Sequence, residues 1–176
     1  MNRIATELLD LGDMEGCRMW RRVGGALRSS LIIFGVIFTI ACMTRLARAE
    51  VLVTCGPSAG FAYYSEYGVI DRDNAGWTED GIAGGETSLL FDPSNSEAPF
   101  DVLYTDSTGG TRTAKSDAGS VSALAIDSEG ILLVIVYDGL IETYHFTNSN
   151  LIITQSKHQA LILKDAIFVS ECEWHE

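Results

Sequence analysis

One run of apolar residues sets the frame for the whole chain. Ile131-Leu-Leu-Val-Ile-Val-Tyr137 is rich in β-branched types, meets Asp138-Gly139, and is followed at once by Leu140-Ile-Glu-Thr-Tyr-His-Phe146. Asp-Gly between two such runs predicts a β-hairpin, because a type I′ turn needs two residues that tolerate positive φ. A two-residue loop also fixes the register, setting Tyr137 against Leu140, Val136 against Ile141, Ile135 against Glu142 and Leu133 against Tyr144. One face then carries Ile131, Leu133, Ile135, Tyr137, Leu140, Tyr144 and Phe146, with Glu142 its single charge. The opposite face carries Leu132, Val134, Val136, Ile141, Thr143 and His145. Both faces of the first run are apolar, which predicts a central strand covered on both sides. Glu142 is expected near a strand end, turned to water or paired. The competing reading encloses it in a cavity, where it would bind a ligand or move a proton.

Shorter runs flank this hairpin. Val51–Cys55 reads as a strand ending in the turn signal Gly56-Pro57, and 61–67 as an aromatic strand or rim. Residues 68–87 are polar and broken by Gly76, Gly81, Gly84 and Gly85, which predicts a long loop, a feature often tied to function. Further strands are expected at 88–91, 101–105, 111–115, 121–126 and 151–156, with 160–171 closing the chain as one bent strand or two short ones. Together these make an all-β antiparallel meander of about eight to nine strands, its order following the chain from Asp101 onward. A closed or nearly closed barrel is the expected form, with a two-sheet sandwich as the alternative.

The first residues have a different character. Arg18, Arg21, Arg22 and Arg28 precede an uncharged run from Ser29 to Thr44, and Ala47-Arg48-Ala49 supplies small residues at a cleavage position. Basic flank, apolar core and A-x-A site in that order predict a signal helix, a signal peptide over 1–49, and a single exported β domain over 50–176. The apolar run is short for a membrane span, although an uncleaved anchor through 29–44 is the alternative. The expected destination is the periplasm or the extracellular space, with no membrane insertion by the mature domain.

Export changes the charge balance. The leader holds seven of the twelve Lys/Arg and four of the twenty-four Asp/Glu, so 50–176 carries a formal net of −15. Such a surface repels phosphate backbones and anionic headgroups, so nucleic acid is not an expected partner. Cys55 and Cys172 remain near the two ends of the domain, and an oxidising compartment predicts that they pair. That bond would make the first and last strands neighbours.

Motifs with known chemistry mostly fail on context. Gly56-Pro-Ser-Ala-Gly60 spells G-x-S-x-G, but a nucleophile elbow needs a helix after the serine, and Phe61 to Tyr67 is not helix-like; the segment reads as a turn. Asp71-Arg-Asp-Asn-Ala-Gly76 opens like a calcium loop, yet the twelfth position is Ile82 rather than a carboxylate. A looser cation site through Asp71, Asp73, Glu79 or Asp80 is a minor alternative, and no metal or cofactor is expected. His145 and His158 should face Ile152 and Gly139, six rungs or about 20 Å apart, which argues against a histidine cluster.

The aromatic residues near the Gly-rich segment are the candidate ligand site. Tyr63, Tyr64 and Trp77 offer rings to a sugar or planar molecule, and Glu79 and Asp80 would fix its polar groups. The structural alternative is that Trp77 plugs one end of a barrel. The functional expectation is a non-catalytic binding protein for a small molecule or protein partner. A small hydrolase or lyase using a pocket carboxylate (Glu142, Glu79 or Asp80) and a structural or interaction protein of the cell surface are the alternatives.

Overall fold

The computed structural model describes residues 49–105, 108–158 and 161–175. The segment expected to be a signal peptide, 1–49 with Cys17 and Cys42, lies outside the described residues apart from Ala49. Eleven strands follow in chain order: β1 (Glu50–Cys55), β2 (Ser58–Tyr64), β3 (Gly76–Ile82), β4 (Glu86–Phe91), β5 (Phe100–Thr105), β6 (Thr111–Thr113), β7 (Ser120–Ile126), β8 (Gly130–Tyr137), β9 (Leu140–Thr147), β10 (Asn150–Lys157) and β11 (Lys164–Trp174). There is no helix among the described residues, so none long and apolar enough to cross a membrane. All the strands belong to one antiparallel sheet, whose main path runs β6-β5-β4-β1-β11-β10-β9-β8-β7.

The hairpin of β8 and β9 has the register expected from its Asp-Gly turn, with Tyr137 opposite Leu140 and Ile135 opposite Glu142. Thr147 and Asn150 close the next turn, so His145 faces Ile152. His158 lies beside Gly139, whose carbonyl accepts from its amide.

β11 organises the other half. Its C-terminal end pairs with β1, Cys172 opposite Cys55, while Lys164–Val169 pairs with β2 along the same edge. β1 and β2 are therefore one bent strand interrupted at Gly56-Pro57, the position of the expected turn. Proline has no amide to give the ladder, which accounts for the break; the Gly56 amide still reaches the Glu171 carbonyl. β4 and β3 repeat the arrangement one place further out, with Thr87 opposite Cys55 and Ile82 opposite Ser58. Two residues thus face four (83–86), an irregularity that bends the sheet. Counted as bent pairs, the eleven segments make nine strands.

This also corrects the long loop expected over 68–87, since Gly76–Ile82 is a strand. Two glycines are there for close approach. A Cβ on Gly60 would lie 1.9 Å from the Ile167 carbonyl oxygen, and one on Gly81 would lie 2.5 Å from that of Ser58. Glycine in a strand often marks such backbone proximity, and composition alone made it look like a loop.

The sheet is an open half-barrel and not a closed barrel. No ladder joins its terminal strands β6 and β7, and the chain order breaks between them. The expected strand 111–115 stops at Thr113 because Thr113 and Ser116 exchange backbone-to-hydroxyl hydrogen bonds, and the Gly119 amide returns to the Ala114 carbonyl. Those local bonds turn the chain away before a longer ladder can form.

The core lies on the concave face, where Val53, Leu89, Val102, Leu133, Ile135, Phe146 and Leu151 are fully buried. Each such side chain contributes about 1.5–3 kcal/mol of transfer free energy. The expectation that β8 is covered on both sides fails on the outer face. There Leu132 and Val134 are half-buried, and Val136 and Ile141 are exposed. Cys55 and Cys172 form the expected disulfide across 117 residues.

Candidate functional site

Alternation divides the five residues expected to share a ligand site. Neighbours along a strand point to opposite faces. With Tyr63 opposite Trp77, Phe61 opposite Glu79 and Gly60 opposite Asp80, the outer face takes Tyr63, Trp77 and Glu79. Tyr64 and Asp80 go to the concave face. Trp77 does not plug the barrel: it is 68% exposed, and its ring meets that of Tyr63 edge-on at 5.5 Å between centroids. Phe61 extends this exposed apolar surface along β2, and Ile167 and Val169 carry it onto β11.

Tyr64 and Asp80 join Lys164 in a compact polar cluster. The Asp80 carboxylate accepts from Lys164 Nζ at 2.6 Å, from the Tyr64 hydroxyl at 2.8 Å and from the Gly81 amide at 2.8 Å. Burial alone would raise the Asp80 carboxyl, but those donors outweigh it and hold the group below its ordinary value. Every oxygen of Asp80 is thereby engaged within the sheet. Asp71 is likewise turned onto Asn74, and no group of three or more His, Cys, Asp or Glu side chains converges as a metal site among the described residues.

None of the five lines the cavity, of about 580 Å³, on the concave side. Its walls come from the β1–β2 break, the β3–β4 corner, β5 and β6, and the turn end of β8, β9 and β10. Glu142 stands in it and is only 8% exposed. Its Oε2 accepts from the Tyr144 hydroxyl at 2.9 Å, and its Oε1 from Gln155 Nε2 at 2.7 Å. So Glu142 is paired, as expected, but buried in the cavity instead of turned to water. Its partners are neutral: the ion pairs among the described residues are Arg72–Glu66, Arg112–Asp117 and Lys164–Asp80.

Three tyrosines gather around this carboxylate. Burial pushes Tyr137 up to about 12, and the charges of Glu142 and Asp117 add to the effect. Burial raises Tyr104 and Tyr144 too, reinforced in Tyr104 by its hydroxyl's bond to Asp117 Oδ2 and in Tyr144 by the charge of Glu142. All three stay neutral near pH 7, and the hydroxyls of Tyr144 and Tyr104 donate to Glu142 and Asp117. Arg112 and Lys157 also line the cavity, Arg112 tied to Asp117 at 3.5 Å.

Ser58 completes the wall from β2. It is a strand residue on the concave face, 8% exposed, and its buried Oγ has no hydrogen-bond partner among the described residues. The adjacent Ser170 directs its own hydroxyl to the Gly56 carbonyl at 2.6 Å. His158 bonds to the Ser156 hydroxyl at 3.0 Å, so Ser58 has no hydrogen-bonded base to activate it.

Part of this site was within reach of the sequence. The Thr147–Asn150 turn that sets His145 against Ile152 also sets Gln155 against Glu142, a polar pair on an otherwise apolar face. Tyr104, Asp117 and Ser58 carried no such signal, because their convergence depends on how the half-barrel curls. No protein-family model, no curated protein and no solved structure matches this chain.

Proposed function

We propose that residues 50–176 form an exported, non-catalytic binding protein that takes a small molecule into the concave cavity. The observation that carries this reading is a ligand-sized hollow with a buried, oriented carboxylate in its wall. Small-molecule sites are typically concave and mostly apolar, with a few placed polar groups. Glu142, the three tyrosines and Gln155 fit that description. The enzymatic alternative is weaker, since Glu142 already accepts two donors and, among the described residues, no second carboxylate or histidine is hydrogen-bonded to it. The disulfide is consistent with export into an oxidising compartment. Leu140, half-buried at the cavity edge, provides the test. Fragment screening by NMR should shift the resonances of cavity residues, and Leu140→Trp should abolish those shifts while leaving the melting profile cooperative. Shifts that survive the tryptophan place binding elsewhere and sink the proposal.

The outer face supports a second reading as an interaction protein. Phe61, Tyr63, Trp77, Ile167 and Val169 are all exposed on adjoining strands, and contiguous apolar surface of this kind often marks a contact with another protein. Glu79, beside them on the same face, would orient such a partner.

A further inference from the structure

Resting on the reading of the cavity as a small-molecule site, we infer that its ligand is an organic cation: an alkylammonium carrying a hydrogen-bonding group at its far end. The first observation is that Glu142 has no cationic partner. Among the described residues its hydrogen bonds come only from the neutral Tyr144 and Gln155, so in this poorly solvated place a cation is the most favourable addition. Tyr144 and Gln155 fix the two oxygens without exhausting them, since a carboxylate offers about four acceptor sites. The second observation is the company Glu142 keeps. Tyr104, Tyr137 and Tyr144 line the same hollow, and aromatic faces beside a carboxylate are the surroundings that favour ammonium groups. The formal charge agrees, with Glu86, Asp117, Asp138 and Glu142 lining the cavity against Arg112 and Lys157.

Ser58 supplies an independent reason to expect an occupant. A buried hydroxyl without a partner is rare and calls for an explanation. Ser58 lines the same cavity from β2, while Glu142 lines it from β9. A ligand whose ammonium meets Glu142 and whose far hydroxyl or amine reaches Ser58 would satisfy both at once. An anion would leave the Glu142 charge opposed by a like charge, and a neutral apolar molecule would leave Ser58 bare.

The test uses probes of one length and different charge: hexylammonium, hexanol, hexanoate and 6-amino-1-hexanol, titrated into the oxidised domain and followed by NMR. Hexylammonium is expected to bind at least tenfold more tightly than hexanol, with hexanoate weakest. 6-Amino-1-hexanol should bind several-fold more tightly than hexylammonium. Glu142→Gln should erase the tenfold preference for the cation, and Ser58→Ala should erase only the advantage of the terminal hydroxyl. Glu142→Gln can fold because its amide oxygen still accepts from Gln155 while its NH₂ donates to the Tyr144 hydroxyl oxygen. Equal or tighter binding of hexanol or hexanoate, lost in Leu140→Trp, would overturn the cation assignment and leave the cavity reading standing. A cation preference that persists in Glu142→Gln would overturn it as well. Binding of none of the four probes up to tens of millimolar would overturn both.

Discussion

Glu142 and Ser58 pose opposite problems at the scale of single residues. Glu142 accepts two buried hydrogen bonds, so Glu142→Ala leaves the Tyr144 hydroxyl and the Gln155 amide without acceptors. The expected loss is about 1–3 kcal/mol for each group left unsatisfied, measured by urea unfolding, and less for Glu142→Gln. Ser58 has nothing to lose in the ligand-free protein. Ser58→Ala removes an unpaired buried hydroxyl and should raise the melting temperature, the gain amounting to about 1–3 kcal/mol at most. A lower melting temperature would mean that the hydroxyl has a partner. Tyr137 adds a pH dependence whose sign follows from its raised pKa. Between the ordinary value of 10.0 and about 12 the unfolded chain gives up its proton and the native protein keeps it. Stability should therefore be full below pH 10 and decline as pH rises through about 12. Tyr137→Phe should flatten part of that decline in alkaline melting curves.

Two elements carry most of the architecture, the β8–β9 hairpin and β11. The hairpin could be read from sequence down to its register because local chemistry decides it: Asp138-Gly139 selects the turn, and period-two alternation does the rest. The Cys55–Cys172 pair was legible for a different reason, since they are the two cysteines of 50–176 and have only each other within it. What could not be read is long-range. Gly60 and Gly81 look like loop formers, and only the approach of β11 and β2 explains why a side chain is excluded there. Tyr63 with Tyr64, and Glu79 with Asp80, look like one site as long as the segment holding Glu79 and Asp80 reads as a loop. As strands, adjacent residues must part company. Gly60→Val is accordingly expected to disrupt β2–β11 pairing, with hydrogen exchange of the β2 amides rising by orders of magnitude. Replacing both Cys55 and Cys172 by alanine should cost about 4–5 kcal/mol, the chain-entropy figure for so long a loop, and reduction of the native protein should match it in denaturant titrations.

For the whole molecule, the contest is between a sticky face and a repelling charge. Twenty acidic residues against five basic ones over 50–176 keep copies apart in dilute buffer. The exposed patch around Trp77 and Ile167 works in the other direction. Salt screens the repulsion over about 10 Å at 0.1 M and leaves apolar contact largely intact. Sedimentation velocity should therefore find more self-association as salt is raised, and Trp77→Glu should reduce it. A chain that stays monomeric at every salt concentration would show that the patch alone is too small to hold copies together.

β11 also governs when the molecule can come into being. It lies between β1 and β2 on one edge and β10 on the other, so the half built around β4 and β5 cannot join the half built around β8 until β11 is in place. Its partners on β1 and β2 precede it by a hundred residues or more, as the 117-residue disulfide span makes plain. Contacts of that range close slowly, and such topologies fold in milliseconds to seconds instead of microseconds. A nascent chain still lacking this strand would hold two unjoined sheets with bare edges, so for this protein assembly is a late, concerted event and a window in which chaperones have something to guard.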